Sequence, residues 1–248
     1  MGGAIGDALG APIEFLKSKG IIQKHGELGV IDYVEFSDGS GEFTDDTQMT
    51  LFTAEGLLRA YHRAVLKGIG GYTLKTTFDS YLRWLITQGY SANEKLDDKL
   101  VNGWLVGRKE LYKQRSPGNT CLSSLINSVP GSMENPINDS KGCGGVMRIA
   151  PIGLIFTKDI DYTFKVACEI ASLTHGHPSG YLSAGVLASI ISSLMSDVSL
   201  RESITLSLDI LKKYEGQEET LSIVEFAINL GFKNTNKNLK HSEIVKQI

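Results

Sequence analysis

The sequence predicts an all-α protein, folded as one compact multi-helix domain over residues 1–248. Apolar residues recur with the 3.6-residue period of a helix along most of the chain. The apolar–polar alternation of a β-strand is weak and confined to residues 29–36. No low-complexity linker interrupts the chain, and 248 residues, 42% of them hydrophobic, suffice for one large core.

Amphipathic periodicity locates the helices. The clearest covers residues 51–65, where Leu51, Ala54, Leu58, Tyr61 and Val65 recur three or four residues apart, the spacing of one helix face. The same pattern predicts further helices over 74–88, 101–114, 120–127, 162–173, 179–196, 200–214 and 220–230. Loops are predicted where Gly, Pro, Asn and Ser cluster, at 37–42, 115–120 and 129–145.

Composition argues against several classes of protein. The formal net charge of -3, with no basic stripe visible, gives no reason to expect nucleic-acid or membrane-surface binding. The cysteines, Cys121, Cys143 and Cys168, are odd in number and form no C-x-x-C pair, which favours a reducing compartment. The N-terminus lacks the pattern of a secretory signal, and no apolar stretch reaches transmembrane length. We therefore predict a soluble, cytoplasmic protein.

The stretch FTDDTQMT (43–50) places two aspartates side by side, directly before an apolar helical run. One explanation is a helix N-cap, because Thr and Asp accept hydrogen bonds from the free N–H groups there. Another is a metal site, because side chains in a first turn point back past the helix end, where Thr44, Asp45 and Asp46 could converge. Converging hard oxygen atoms suit Mg²⁺ or Mn²⁺, and a cation would offset the repulsion between the aspartates.

The N-terminal segment GGAIGDALGAPIEF contains a glycine stripe followed by an acidic residue. Gly3, Gly6 and Gly10 lie on one helical face, with Asp7 near it, and we interpret the stripe as a surface for close helix packing. The spacing differs from that of a dinucleotide-binding fingerprint. The proline after the stripe is predicted to end the helix, leaving Glu14 on the next turn as either a solvated loop residue or a functional one.

Two later stretches contain residues suited to ligand binding. In SKGCGGVMRIAPIGL (140–154), clustered glycines precede an apolar run, so their N–H groups could form a phosphate-binding nest at a helix start. A tight turn without a ligand is the alternative, and Arg148 could be a phosphate clamp or part of a salt bridge. In LTHGHPSGYLSAG (173–185), His175 and His177 do not match the H-x-x-x-H zinc pattern. Each could instead be a capping or packing residue.

Five stretches together resemble the ADP-ribosylglycohydrolase family, which includes the dinitrogenase reductase-activating glycohydrolases. In the family's order they are GGAIGDALGAPIEF, FTDDTQMT, SPGNT, GCGGVMRIAPIGL and THGHPSG, covering residue 2 to about residue 190. The resemblance implies an all-α fold and a hydrolase with a two-magnesium site. Such an enzyme cleaves the glycosidic bond between ADP-ribose and its acceptor, so its partner would be an ADP-ribosylated protein or a small ADP-ribose conjugate.

The resemblance also implies roles for individual residues. Thr44, Asp45 and Asp46 would be metal ligands, and Glu14 and Asp46 would act in catalysis. The residues implied to bind the ADP-ribose part of the substrate are Asn119, Gly142, Cys143, Gly144, Gly145, Val146, Met147 and His175.

One motif of the family is missing from these 248 residues. The family closes its metal site with a second acidic motif, G-D-[ST]-D-[ST], near the C-terminus, and no such string occurs here. The C-terminal part of the family domain is therefore expected to be absent, with one Mg²⁺ or none bound. An alternative function follows, that of a catalytically impaired pseudoenzyme that binds ADP-ribose or blocks a partner. An exposed apolar face on a shortened domain would also favour self-association.

Overall fold

The computed structural model describes residues 1–34, 41–91 and 100–234, with side chains up to residue 231. These residues form ten α-helices and no β-strand, which confirms the all-α fold. They divide into two compact units: the described residues up to Thr44 with those from Leu221 onward, and Asp45–Thr220. A single domain over residues 1–248 stays a prediction. None of the described helices is both long enough and apolar enough to cross a membrane.

The first unit contains the N-terminal helices. Helix α1 covers Gly2–Gly10, and α2 covers Ser18–His25, which the sequence analysis did not predict. Pro12 lies in a 3-10 turn over Ala11–Ile13, so the α-helix ends before the proline, as expected. Residues 29–34 form no strand, and the rest of the predicted strand lies outside the described residues, as does most of the loop at 37–42.

The second unit contains most of the helices and is built around α8. Its helices are α3 Asp45–Lys67, α4 Thr73–Thr87, α5 Asn119–Ile126, α6 Ala150–Ile155, α7 Ile160–Ser172, α8 Pro178–Leu194 and α9 Leu200–Leu211. Helix α10 covers Glu218–Asn234 and begins within the last residues of the second unit. Helix α8 packs against α6, α7 and α9, and α3 packs against α4 and α6. The largest buried side chains of this core include Phe52, Tyr81, Trp84 and Phe164.

Close helix packing occurs at other glycines than those predicted. A Cβ added at Gly56 in α3 would lie 2.5 Å from Thr77 Cα in α4, and one at Gly153 in α6 would lie 2.4 Å from the Ala188 carbonyl oxygen in α8. A Cβ at Gly3, Gly6 or Gly10 would meet no described atom within 4 Å. No described residue of the first unit packs closely against the N-terminal stripe, and its packing role stays a prediction.

The helix predicted over residues 101–114 is wrong. This segment forms turns and one short 3-10 helix, Lys109–Leu111. The Trp104 N–H donates to the buried carboxylate of Glu55 instead of a helical carbonyl, over 2.7 Å. A Cβ at Gly103 would lie 2.5 Å from Arg83 Cδ. Two glycines in the segment weaken a helix further, so tertiary contacts to α3 and α4 prevail over the apolar periodicity.

Candidate active site

The aspartates of FTDDTQMT begin α3, and a separate loop anchors the first of them. Asp45 and Asp46 lie in the first turn of α3, and Asp45 is only 5% exposed. The Asp45 carboxylate accepts a hydrogen bond from the Gly118 N–H over 3.1 Å, and its own N–H donates to the Arg115 carbonyl over 3.0 Å. The SPGNT motif therefore fixes Asp45 in place, and it also presents Asn119, exposed, as the first residue of α5.

The glycine-rich segment forms a tight turn that ends before the next helix. The N–H groups of Val146 and Met147 both donate to the Cys143 carbonyl over 3.0 Å, and α6 begins only at Ala150. The glycine N–H groups that were predicted to form a nest at a helix start therefore lie in a separate turn that precedes the helix. The N–H groups of Gly144 and Gly145 come first in that turn and lie outside its internal bonds. They are the groups that could donate to a phosphate.

Two glycines of this turn are required by close contacts with neighbouring motifs. A Cβ at Gly144 would lie 2.7 Å from both Cys121 Sγ and His175 Cε1, and one at Gly145 would lie 2.6 Å from the Gly180 carbonyl oxygen. The turn also contacts the start of α3: the Thr50 hydroxyl donates mainly to the Asp46 carbonyl over 2.8 Å, and the Met147 carbonyl oxygen lies 3.3 Å from the same hydroxyl. Motifs far apart in the sequence therefore meet at one place in the second unit.

His175 is buried, 1% exposed, beneath the glycine turn. Burial, with a further contribution from Arg148, lowers the pKa of its imidazole to about 3, so the ring is neutral at pH 7. Its Nδ1 lies 2.9 Å from the Thr174 hydroxyl, which already accepts a 2.6 Å bond from Arg148. Among the described residues no acceptor other than Nδ1 contacts this hydroxyl, so donating its hydrogen to Nδ1 satisfies both groups. This assigns the remaining proton to Nε2, on the side of the ring near Gly142 and Gly144.

Arg148 has neither of the roles suggested by the sequence. It is fully buried, so it is no exposed phosphate clamp, and in the described part of the chain no carboxylate pairs with it. Its guanidinium lies 4.1 Å from the Tyr81 ring centroid, and its Nε has no hydrogen-bond partner there. A cation over an aromatic face is favourable, but an unpaired buried charge is costly. Arg148 thus supplies positive charge beneath the site.

Cys121 reports the electrostatics of this region. Burial raises the pKa of its thiol to about 11; Arg148 opposes the shift, and Asp45, Cys143 and Asp46 add to it. The buried cation and the two aspartates therefore act on the same sulfur atom. The thiol stays protonated at pH 7, which excludes Cys121 as a nucleophile in this state.

In the first unit, Thr44 is held by a residue that the sequence analysis left without a role. The Asp7 carboxylate in α1 accepts the Thr44 N–H over 2.9 and 3.0 Å and the Thr44 hydroxyl over 2.7 Å. In the sequence, Asp7 is a lone acidic residue in a glycine-rich apolar helix. The local pattern around it does not indicate which residue it binds. Glu14 is exposed after the 3-10 turn.

The side-chain oxygen atoms at the start of α3 are of the type that binds Mg²⁺, but there are few of them among the described residues. Carboxylate and hydroxyl oxygens are the hard ligands that this ion prefers. Among the described residues, no three His, Cys, Asp or Glu side chains gather into a metal-binding group. Within the second unit, Asp45 and Asp46 could hold one ion together with water. The predicted roles of all site residues stay predictions.

Comparison with known proteins gives two matches. A sequence model of the ADP-ribosylglycohydrolase family matches residues 1–246. An uncharacterized protein of Archaeoglobus fulgidus is 26% identical over 224 residues, which cover 90% of this chain and 62% of the relative. The chain thus spans less than two thirds of that relative's length.

Proposed function

The chain belongs to the ADP-ribosylglycohydrolase family, and we propose that it hydrolyses the glycosidic bond between ADP-ribose and an acceptor, with Mg²⁺ at the start of α3. The acceptor is a protein side chain or a small molecule. In the overall reaction, water oxygen bonds to the anomeric carbon of the ribose, the bond to the acceptor breaks, and the acceptor gains a proton. We also propose a cytoplasmic location, from the cysteine usage.

One observation carries the proposal: four motifs that are dispersed in sequence meet in the second unit. The SPGNT loop binds Asp45, and the glycine turn packs against His175 of the THGHPSG stretch and touches Thr50 of α3. Neutral donors, acidic oxygens and a backbone N–H pair thus adjoin one another. Such a set can bind the diphosphate through N–H groups and the ribose hydroxyls through oxygens.

The magnesium ion would be held by Thr44, Asp45 and Asp46. When bound, it supplies positive charge that fixes the ribose hydroxyls and lowers the pKa of water. The protein's own part is to hold the ligands still. Gly118 anchors Asp45 from one side, and the three hydrogen bonds from Thr44 to Asp7 fix the residue before it.

The chain's other residues position the substrate. The N–H groups of Gly144 and Gly145 would donate to the diphosphate, and the neutral His175 would donate from Nε2 to an oxygen of ADP-ribose. Asn119, at the start of α5, would bind the ribose or adenine. Bond cleavage builds oxocarbenium character on the ribose, and a carboxylate of Asp46 or Glu14 would steady this charge and direct the proton.

A second function is that of an impaired enzyme that retains ADP-ribose binding. The small number of acidic groups available for a metal favours it. The G-D-[ST]-D-[ST] motif is missing from the 248 residues, and the described residues gather no larger acidic cluster. In this case the glycine turn would bind ADP-ribose while turnover is slow or absent.

Turnover separates the two functions. ADP-ribosyl-arginine is incubated with the purified chain in saturating Mg²⁺, and calorimetry measures ADP-ribose binding with and without the metal. We expect ADP-ribose to bind and turnover to be measurable but slow, because the described donor set is small; binding without any turnover would favour the impaired enzyme. Full turnover that Asp46→Ala abolishes would establish the active enzyme, whereas no ADP-ribose binding in either condition would rule out both functions.

A further inference from the structure

The second unit contains a cavity of about 470 Å³ between the C-terminal half of α3, α4 and the segment around Trp104. Its polar and aromatic lining consists of Arg59, His62, Arg63, Lys67, Thr76, Asp79, Arg83 and Trp104. Along α3, Arg63 comes seventeen positions after Asp46, which is roughly 25 Å at 1.5 Å per residue. The cavity is therefore distinct from the candidate active site.

The lining is basic although the whole chain is slightly acidic. Arg59, Arg63 and Lys67 follow one another at intervals of four residues, so they share a face of α3, and Arg83 joins them from α4. This is a basic stripe that the sequence analysis did not recognise. The lining also contains Asp79, which is paired with Lys75 over 3.0 Å. Burial, and then the neighbouring Arg59, lower the pKa of Arg83, while Glu55 and Asp79 oppose this shift.

Two of these cations already use their donors within the protein. Arg59 contacts the buried Glu55 carboxylate over 3.3 Å and donates to the Asn102 carbonyl over 2.7 Å. Arg83 donates to the Leu100 carbonyl over 3.0 Å. Both are therefore structural and contribute mainly a positive field.

Arg63 and Lys67 have donors to spare. The Arg63 guanidinium lies 4.2 Å from the Tyr72 ring centroid, and its Nε is buried without a hydrogen-bond partner among the described residues. The stacking holds the guanidinium plane and leaves its N–H edges for a ligand. Lys67 is exposed, one turn further along the same face, and no carboxylate in the described structure pairs with it.

We propose that this cavity binds a small phosphate-bearing anion through Arg63 and Lys67, with the half-exposed indole of Trp104 beside it. An oriented guanidinium next to an ammonium is the arrangement that recognises phosphate oxygens. The volume lies within the usual range for small ligands, roughly 300–1,000 Å³. A single short basic stripe on a chain of net charge -3 favours a small ligand over a nucleic acid, which needs an extended basic track.

Tryptophan fluorescence can test this proposal at the cavity itself. The chain has two tryptophans: Trp84 is fully buried, whereas Trp104 is 50% exposed and lines the cavity. Pyrophosphate, AMP and ADP are titrated at constant ionic strength, because screening alone changes surface electrostatics. We expect a saturable emission change that Trp104→Phe removes. Pyrophosphate alone suffices if phosphate is the whole ligand, and tighter binding of ADP identifies a nucleotide.

Charge-neutralising variants identify the residues that bind. Arg63→Gln is expected to weaken binding about tenfold or more, because it removes charge-assisted hydrogen bonds, and Lys67→Gln should weaken it several-fold. The matched control is Lys158→Gln at an exposed lysine elsewhere in the same unit, which should change nothing. Circular dichroism checks folding, and Lys67→Gln, at an exposed position, keeps the test decisive if Arg63→Gln misfolds.

Three results would overturn the proposal. They are no saturable change at millimolar ligand, equal weakening by Lys158→Gln, and tighter binding of a single-stranded oligonucleotide than of ADP. Asp46→Ala should leave this signal intact. The proposal for the cavity and the proposal for the candidate active site can therefore be confirmed or refuted independently.

Discussion

The burial of His175 bears both on the stability of the second unit and on the ligand-binding role proposed for this residue. The ring is buried, neutral, and fixed by the Thr174 hydroxyl, so its Nε2–H is oriented before any ligand arrives. Preorganised neutral donors cost little reorganisation on binding. The same burial makes the residue a source of acid sensitivity.

The pH dependence of stability follows from the depressed pKa of His175. Its pKa is about 3 when folded and 6.5 otherwise, so the unfolded chain binds more protons between these values. Stability from this group is complete above pH 6.5 and declines as the pH falls towards 3, by up to about 1.4 kcal/mol per pH unit. Urea unfolding at pH 7 and pH 5 should show that His175→Gln loses about 2 kcal/mol less than the parent. The control is His62→Gln, at an exposed histidine. If this variant also lost about 2 kcal/mol less stability between pH 7 and pH 5 than the parent, His175 would not be the source of the acid sensitivity.

Gly144 should tolerate no side chain, whereas Gly142, two residues earlier, should. The Cβ of Gly144→Ala would meet Cys121 and His175, both buried, at 2.7 Å, so we expect a loss of roughly 1–3 kcal/mol. At Gly142 the nearest atom would be Ser140 Oγ at 3.5 Å, an ordinary contact, and a change within about 0.5 kcal/mol is expected. Urea denaturation at pH 7 compares them; equal stability of the two variants would contradict the packing described for the turn.

Among the helices, α3 connects the two regions for which we propose functions. Its first turn carries Asp45 and Asp46, its C-terminal half lines the basic cavity, and its middle is held against α4 at Gly56. A helix is a rigid spacer of 1.5 Å per residue. The crossing at Gly56 therefore sets the position of both ends relative to α4.

Gly56→Ala tests the crossing of α3 and α4. The added Cβ would lie 2.5 Å from Thr77 Cα, a backbone atom that cannot move alone, so we expect a loss of roughly 1–3 kcal/mol. The matched control is Gly6→Ala in α1, where no described atom lies within 4 Å. That change should be neutral or stabilise by up to about 1 kcal/mol through helix propensity. Thermal unfolding measures both, and a stabilising Gly56→Ala would show that the helices are not this close.

At the scale of the whole molecule, family membership and the donor set bear on activity differently. The family match extends over residues 1–246, yet the described residues gather no acidic cluster beyond the aspartate pair. Magnesium dehydrates reluctantly and demands near-octahedral geometry. A site with few protein oxygens therefore binds it weakly.

We predict that the chain binds at most one Mg²⁺, loosely. Stabilisation by a ligand grows with its concentration relative to its dissociation constant, so the melting temperature should rise only at millimolar Mg²⁺. Asp46→Ala should remove this rise, and Asp209→Ala, at an exposed aspartate of α9, should preserve it. Calorimetry gives the stoichiometry; two tightly held ions would show that other residues complete the site.

The helical class and the family could be predicted from the residues alone, because helical periodicity and short motifs are local properties. The helix starting at FTDDTQMT and the end of α1 at Pro12 could be predicted in the same way. The contacts between distant residues required the folded structure. The Asp7–Thr44 contact spans 37 positions, and the Gly118–Asp45 contact spans 73. The helix predicted at 101–114 failed for the same reason: a buried carboxylate from α3 binds the Trp104 N–H, and no local pattern encodes a partner so far along the chain.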